Sequence, residues 1–316
     1  MSAKLKIILS MTAFGTLSLF VRRIPLSSAE VALFRAVIAL IALGGTKGIL
    51  AGGATPPLRS SRDALLPSPK AFPLRGRWHG TAVTDEVLPT SSRSALLLFL
   101  SGAAMGFNWI FLFTAYRYTT VALSTLAYYF SPTLVVLFSL ILFREPLSLR
   151  QILCFLGSTA GLVLIVGLRG GGSSDGTGLL FGLLAALLYT VVVLCNKRAG
   201  AVDGVTRTWV QLAAATAVLA PYVALTGGFH IGSLDLTGWG NLLVIGVGFT
   251  GLLYTVYFSA ISVLPGQHAA VLSYLDPAVA VLVSVFFLRE PITALQLLGG
   301  AMILLFAMCN ELGARK

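Results

Sequence analysis

The chain has 316 residues, of which 57% are hydrophobic and only 10% charged, and its mean hydropathy is +0.91. A soluble domain carries roughly a quarter charged residues, so this composition excludes an ordinary soluble protein and calls for a surface that faces hydrocarbon. The net charge of +11 would point to nucleic acid in a soluble chain; here the basic residues fall between apolar runs, where they set topology, and nucleic acid is not an expected partner.

A membrane-crossing helix needs about 20 mostly apolar residues. In chain order, the pattern predicts spans over 5–22, 27–50, 94–115, 119–142, 150–168, 177–196, 205–226, 238–260, 265–288 and 293–311. The first has the look of a signal peptide, with Lys4 and Lys6 ahead of an apolar run and Ser27-Ser28-Ala29 behind it. However, Arg22 and Arg23 would lie between that run and the cut, so it is expected to stay as a helix. With the N-terminus cytoplasmic, sixteen of the 22 basic residues fall on the inner side, five on the outer side, and Arg35 within a span. The positive-inside rule therefore predicts that both termini are cytoplasmic.

Residues 51–93 lack apolar periodicity. They hold Pro56, Pro57, Pro67, Pro69, Pro73 and Pro89, with six basic and three acidic residues. This stretch reads as a disordered cytoplasmic loop acting as a topology signal. Its charge would also suit contact with anionic lipid.

A shift of 145 residues lays Ser131-Pro132 on Asp276-Pro277, and Arg144-Glu145-Pro146 on Arg289-Glu290-Pro291. Gln151 then falls on Gln296, Phe113 on Phe258, and Trp109 on Tyr254. Each half contributes five spans. Five is odd, so the second half inserts upside down relative to the first, the inverted plan that transporters use for alternating access. The predicted fold is an all-α membrane protein of ten transmembrane helices in two inverted repeats, 1–168 and 177–316.

The repeated motif has a mechanical reading. Glu145 and Glu290 end a helix, and Pro146 and Pro291 stop it continuing. Ser148 with Gln151, and Thr293 with Gln296, form capping boxes that open the next helix. Glycines four apart (Gly102 and Gly106, Gly157 and Gly161, Gly178 and Gly182) predict close helix approach in lipid. Cys154, Cys195 and Cys309 are too far apart for a metal or redox motif. No metal or cofactor is expected, and no signal for an oligomeric state is present.

Arg35, the Pro132 and Pro277 helices, the Glu145-Pro146 and Glu290-Pro291 ends, and Tyr274-Leu275-Asp276-Pro277 together resemble the EamA-type branch of the drug/metabolite transporter superfamily. The likeness covers nearly the whole chain. Residues 51–93 depart from it, since the family has a short loop there. Membership would imply ten helices in two inverted repeats and the export of amino acids, including aromatic ones, or related metabolites. Relatives carry nucleotide sugars, triose phosphates or cationic drugs.

The candidate site residues follow from what hydrocarbon forbids. Pro132 and Pro277 strip the carbonyls of Tyr128 and Ser273 of their helical donors, and such groups need a partner or a wet cavity. Arg35 would pair with a substrate carboxylate or, structurally, anchor carbonyls or Glu30. Asp276, beside a helix break, would exchange protons or meet an amine, which makes a proton the candidate coupling ion; the alternative is a capped structural carboxylate. Asn108, Trp109, Phe111, Tyr128, Tyr189, Tyr254 and Tyr257 supply polar and aromatic walls suited to an amphipathic solute, or simply packing.

These readings converge on a secondary transporter of the inner membrane that exports amino acids or related small metabolites, with the bilayer and a small solute as its partners. A carrier of cationic drugs, nucleobases or sugar phosphates is the alternative. A phosphate carrier would show several midplane cations, and only Arg35 qualifies. A membrane enzyme is the remote reading, because neither His-Glu-x-x-His nor Gly-x-Ser-x-Gly occurs.

Overall fold

The computed structural model describes residues 2–53, 92–143, 148–167, 173–199, 202, 204–261 and 272–313. Among them all regular structure is helical. The first half comprises α1 (Ala3–Gly15), α2 (Leu17–Val21), α3 (Ser28–Gly53), α4 (Ser92–Tyr118), α5 (Val121–Tyr128), α6 (Ser131–Phe143) and α7 (Leu149–Gly167). The second comprises α8 (Ser173–Ala199), α9 (Gly204–Thr226), α10 (Leu236–Leu243), α11 (Leu253–Ile261), α12 (Leu275–Leu282) and α13 (Ala294–Gly313). Two π-helical stretches, Val244–Leu252 and Val283–Phe287, continue α10 into α11 and extend α12.

Among the described residues, five helical stretches are long and apolar enough to cross a membrane: Ala3–Val21, Ser92–Tyr118, Val121–Ser139, Asp175–Ala199 and Thr206–Thr226. Four shorter apolar helices accompany them. Three predicted spans are less regular than a continuous helix. The first breaks at Thr16, whose hydroxyl donates to the Ala13 carbonyl at 2.7 Å. The fourth is interrupted between Tyr128 and Ser131, and the ninth at Tyr274, so both repeated prolines sit just past a break. The cause is common to both: proline has no N–H to give and crowds the preceding turn.

The predicted caps form. Ser148 and Gln151 exchange bonds at 2.8 and 3.3 Å, and Thr293 and Gln296 do so at 2.9 and 3.2 Å. Ser27 and Glu30 open α3 in the same way. Glu145 and Pro146 lie outside the described residues, as does nearly all of 51–93.

Several helix pairings of the first half recur in the second. α4 lies along α8 and α9, while α11 lies on α1 and the Val244–Leu252 stretch on α3. α5 and α6 meet α8 as α12 meets α1, and α3 with α9, α5 with α12, and α7 with α13 pair across the middle. Glycine permits the closest of these approaches. A Cβ on Gly161 would stand 2.6 Å from the Gly299 carbonyl oxygen, and one on Gly102 would stand 2.4 Å from that of Gln211. The largest apolar core cluster joins α3, α4 and α9 to the π-helical stretch, and Trp109, Phe113 and Leu212 belong to it.

Candidate functional site

Arg35 is a buried cation. It is 3% exposed on α3, among Ala32, Ala36 and Ala39, all buried. Its Nε donates to Thr250 Oγ1 at 2.7 Å. Its guanidinium carbon lies 4.4 Å from the centre of the Trp109 ring and 5.8 Å from that of Phe113. A guanidinium stacked on an aromatic face is held by the ring's quadrupole without losing its charge. Among the described residues no carboxylate forms an ion pair with it. Glu30, the structural partner considered from sequence, accepts instead from Ser27 and from the His230 backbone N–H at 2.6 Å. Tyr254, Tyr116 and Tyr128 stand around Arg35.

Asp276 also lies near Tyr116 and Tyr128. It is half-buried at the start of α12, and its Oδ2 accepts from the Tyr129 hydroxyl at 2.7 Å. Tyr129 and Tyr274 occupy matching places at the two helix breaks, and their rings approach to 6.2 Å. Tyr128 packs edge-on against Tyr129 at 5.8 Å and Tyr189 at 5.6 Å. Tyr116 lies near both Arg35 and Asp276. A cation and a carboxylate therefore lie beside one tyrosine cluster.

Of the residues expected from sequence, Arg35, Trp109, Tyr128, Tyr189, Tyr254 and Asp276 come together here; Tyr189, 40% exposed, lies at the rim. Others are engaged elsewhere. The Asn108 amide donates to the Ala185 carbonyl at 2.6 Å, clasping α4 to α8. Phe111 packs on Phe181 at 5.8 Å. Tyr257 packs beside Ile7, Met11 and Ala260, beyond the Arg35 cluster. Ser273 is a half-buried helical residue ahead of the Tyr274 break. Sequence reasoning did not single out Tyr116 or Thr250. Tyr129, beside Tyr128 among the aromatics of the fourth span, carries a sequence signal, because it falls on Tyr274 under the repeat; Thr250 carries none.

With the cluster described, its relatives can be placed. The pattern that defines the EamA-like transporter family matches residues 1–167 and 176–310. This chain belongs to that family. It is 27% identical over 312 residues to the uncharacterized transporter YxxF of Bacillus subtilis, covering 96% of this chain and 87% of that one. It is 26% identical over 221 residues to the threonine/homoserine exporter RhtA of Escherichia coli K12, covering 70% and 72%. A solved crystal structure superposes with a TM-score of 0.57 at 20% identity, over 99% of this chain and 98% of that one, and shares the fold. The EamA-like chain is thus a multi-pass membrane transporter.

At one end of the EamA-like bundle, polar residues tie its halves together. Arg22 on α2's end pairs with Glu290 at 2.5 Å and donates to the carbonyls of Tyr116 and Thr119 at 2.6 and 3.0 Å. Glu290 accepts in turn from Val121 N–H at 2.8 Å and from the Ser284 hydroxyl. Glu290, at the end of its own helical hairpin motif, therefore also caps α5 in the other half. Beside this network opens a cavity of about 740 Å³, lined by Arg22, Glu30, Arg117 and His230, with Phe113 and Tyr116 also in its wall.

Proposed function

We propose that the chain is a secondary transporter that exports amino acids or closely related zwitterionic metabolites across the inner membrane. The observation that carries this reading is Arg35, a buried cation that lacks an ion-paired carboxylate among the described residues and lies beside a tyrosine cluster that Asp276 also adjoins. Intramembrane charges are costly and mark substrate or ion paths. Arg35 meets the substrate carboxylate, Asp276 meets the amine or carries the coupling proton, and Tyr128, Tyr254 and Trp109 enclose the side chain. The name of the RhtA relative supports the same solute class. The protein acts as a carrier and makes or breaks no covalent bond.

The chain crosses the membrane ten times as two inverted halves, 1–168 and 177–316, with both termini cytoplasmic. Five long apolar stretches, four shorter ones and the 26-residue α3 supply enough helices. The helix pairings that recur between the halves support the pseudo-two-fold relation. The breaks at Tyr129 and Tyr274 meet between the halves, where a rocking carrier places its site.

The test is counterflow in proteoliposomes with radiolabelled amino acids, amines and sugar phosphates, with and without a pH gradient. Saturable amino-acid flux that disappears in Arg35→Ala is the expected result. Flux of an amine or a sugar phosphate alone would keep the carrier and overturn the solute class.

A further inference from the structure

The π-helical stretch Val244–Leu252 holds a feature that the Arg35 site depends on. In it the backbone bonds run five residues back, as from the Leu253 N–H to the Gly248 carbonyl. The same spacing lets the Thr250 hydroxyl donate to the Ile245 carbonyl at 2.8 Å. A hydroxyl has one proton. With that proton committed to Ile245, only lone pairs remain to face Arg35, and Arg35 Nε donates into them at 2.7 Å. Thr250 is 0% exposed, so no water competes for either bond. The approach is enforced one turn away: a Cβ on Gly246 would stand 2.6 Å from Ile38 Cγ2, which shows how tightly α3 lies on the π-helical stretch at this level. The Trp109 ring, 4.4 Å from the guanidinium carbon, backs the group on one side, while the bond from Nε restricts its rotation.

From this we infer that Thr250 is the positioning residue of the substrate site: it occupies Nε and presents the two terminal amino groups of Arg35 for a bidentate bond to a carboxylate. This rests on the reading of Arg35 as the carboxylate partner, and it adds a specificity. The two terminal amino groups form a planar fork that matches the two oxygens of one carboxylate. An amine lacking a carboxylate gains nothing from that fork.

The experiment uses the full chain as wild type, Thr250→Val and Thr250→Ser. In proteoliposomes, counterflow of radiolabelled L-threonine, L-homoserine and L-phenylalanine gives KM and Vmax. In detergent, spectra of ¹⁵N-arginine-labelled protein follow the Arg35 Nε–H, assigned by its loss in Arg35→Lys. Thr250→Val is expected to expose that Nε–H to solvent exchange. It should also raise KM about ten- to a hundredfold, the scale of one hydrogen bond to a charged group, with Vmax changing far less. Thr250→Ser keeps both bonds and restores both readouts, which a purely structural role for the threonine methyl would not do. A protected Nε–H in Thr250→Val, a loss in Vmax alone, or failure of Thr250→Ser to rescue would overturn the positioning. A changed Nε–H signal with no wild-type flux of the three amino acids keeps the positioning and overturns the amino-acid reading.

Discussion

The Tyr129 hydroxyl and Asp276 make one 2.7 Å bond across the two helix breaks, and what the carboxylate can do depends on it. Tyr129→Phe removes the donor and leaves a half-buried acceptor unpaired, which costs about 1–3 kcal/mol. A lower thermal midpoint in detergent would register that loss. Asp276→Asn keeps an acceptor for Tyr129 but removes the group that ionises. It is expected to fold as wild type and to lose the response of flux to an imposed pH gradient; flux that still follows the gradient would remove Asp276 from coupling. At the bundle end, Glu290→Ala takes away both the partner of Arg22 and the acceptor of the Val121 N–H. The expected loss is about 1–3 kcal/mol in thermal unfolding, and Glu290→Gln, which still accepts from Val121, should lose less. Trp109 and Tyr254 were legible at this scale because the repeat superposes them. Thr250 was not, because its role follows from a hydroxyl proton committed by local backbone geometry.

At the scale of elements, the π-helical stretch decides how α3 sits. Gly246→Ala drives a methyl into Ile38, a β-branched side chain with little rotamer freedom. Overpacking of that kind costs about 1–3 kcal/mol, and it should part Arg35 from Thr250 and lower flux. Gly248 lies two residues on with nothing within 4 Å of a Cβ, so Gly248→Ala is the matched control and should leave both stability and flux unchanged. The capping boxes were fully legible, since Ser/Thr-x-x-Gln is a local signal whose partners are three residues apart. The π-helical stretch was not, because an apolar run such as Val244–Leu252 has the same composition whether its bonds run four or five residues back.

For the whole molecule, the proposed topology predicts that reporters fused to the N- and C-termini both read as cytoplasmic. Deletion of residues 55–90, which lie outside the described residues, is expected to leave expression and flux intact; loss of either would give that segment a role of its own.

Sequence by itself determined that the chain lives in a bilayer, because 57% hydrophobic and 10% charged residues leave no other solvent for its surface. It also determined where the proline breaks and helix starts fall, since those signals act within a few residues of themselves. Tertiary structure alone decided that Glu290 caps a helix in the opposite half, that Asn108 is spent on a helix clasp, and that Thr250 holds Arg35. Each of those contacts joins residues far apart in the chain. Whether a buried polar group is committed or free is set by the partners that packing delivers, and hydropathy or motif spacing carries no record of them.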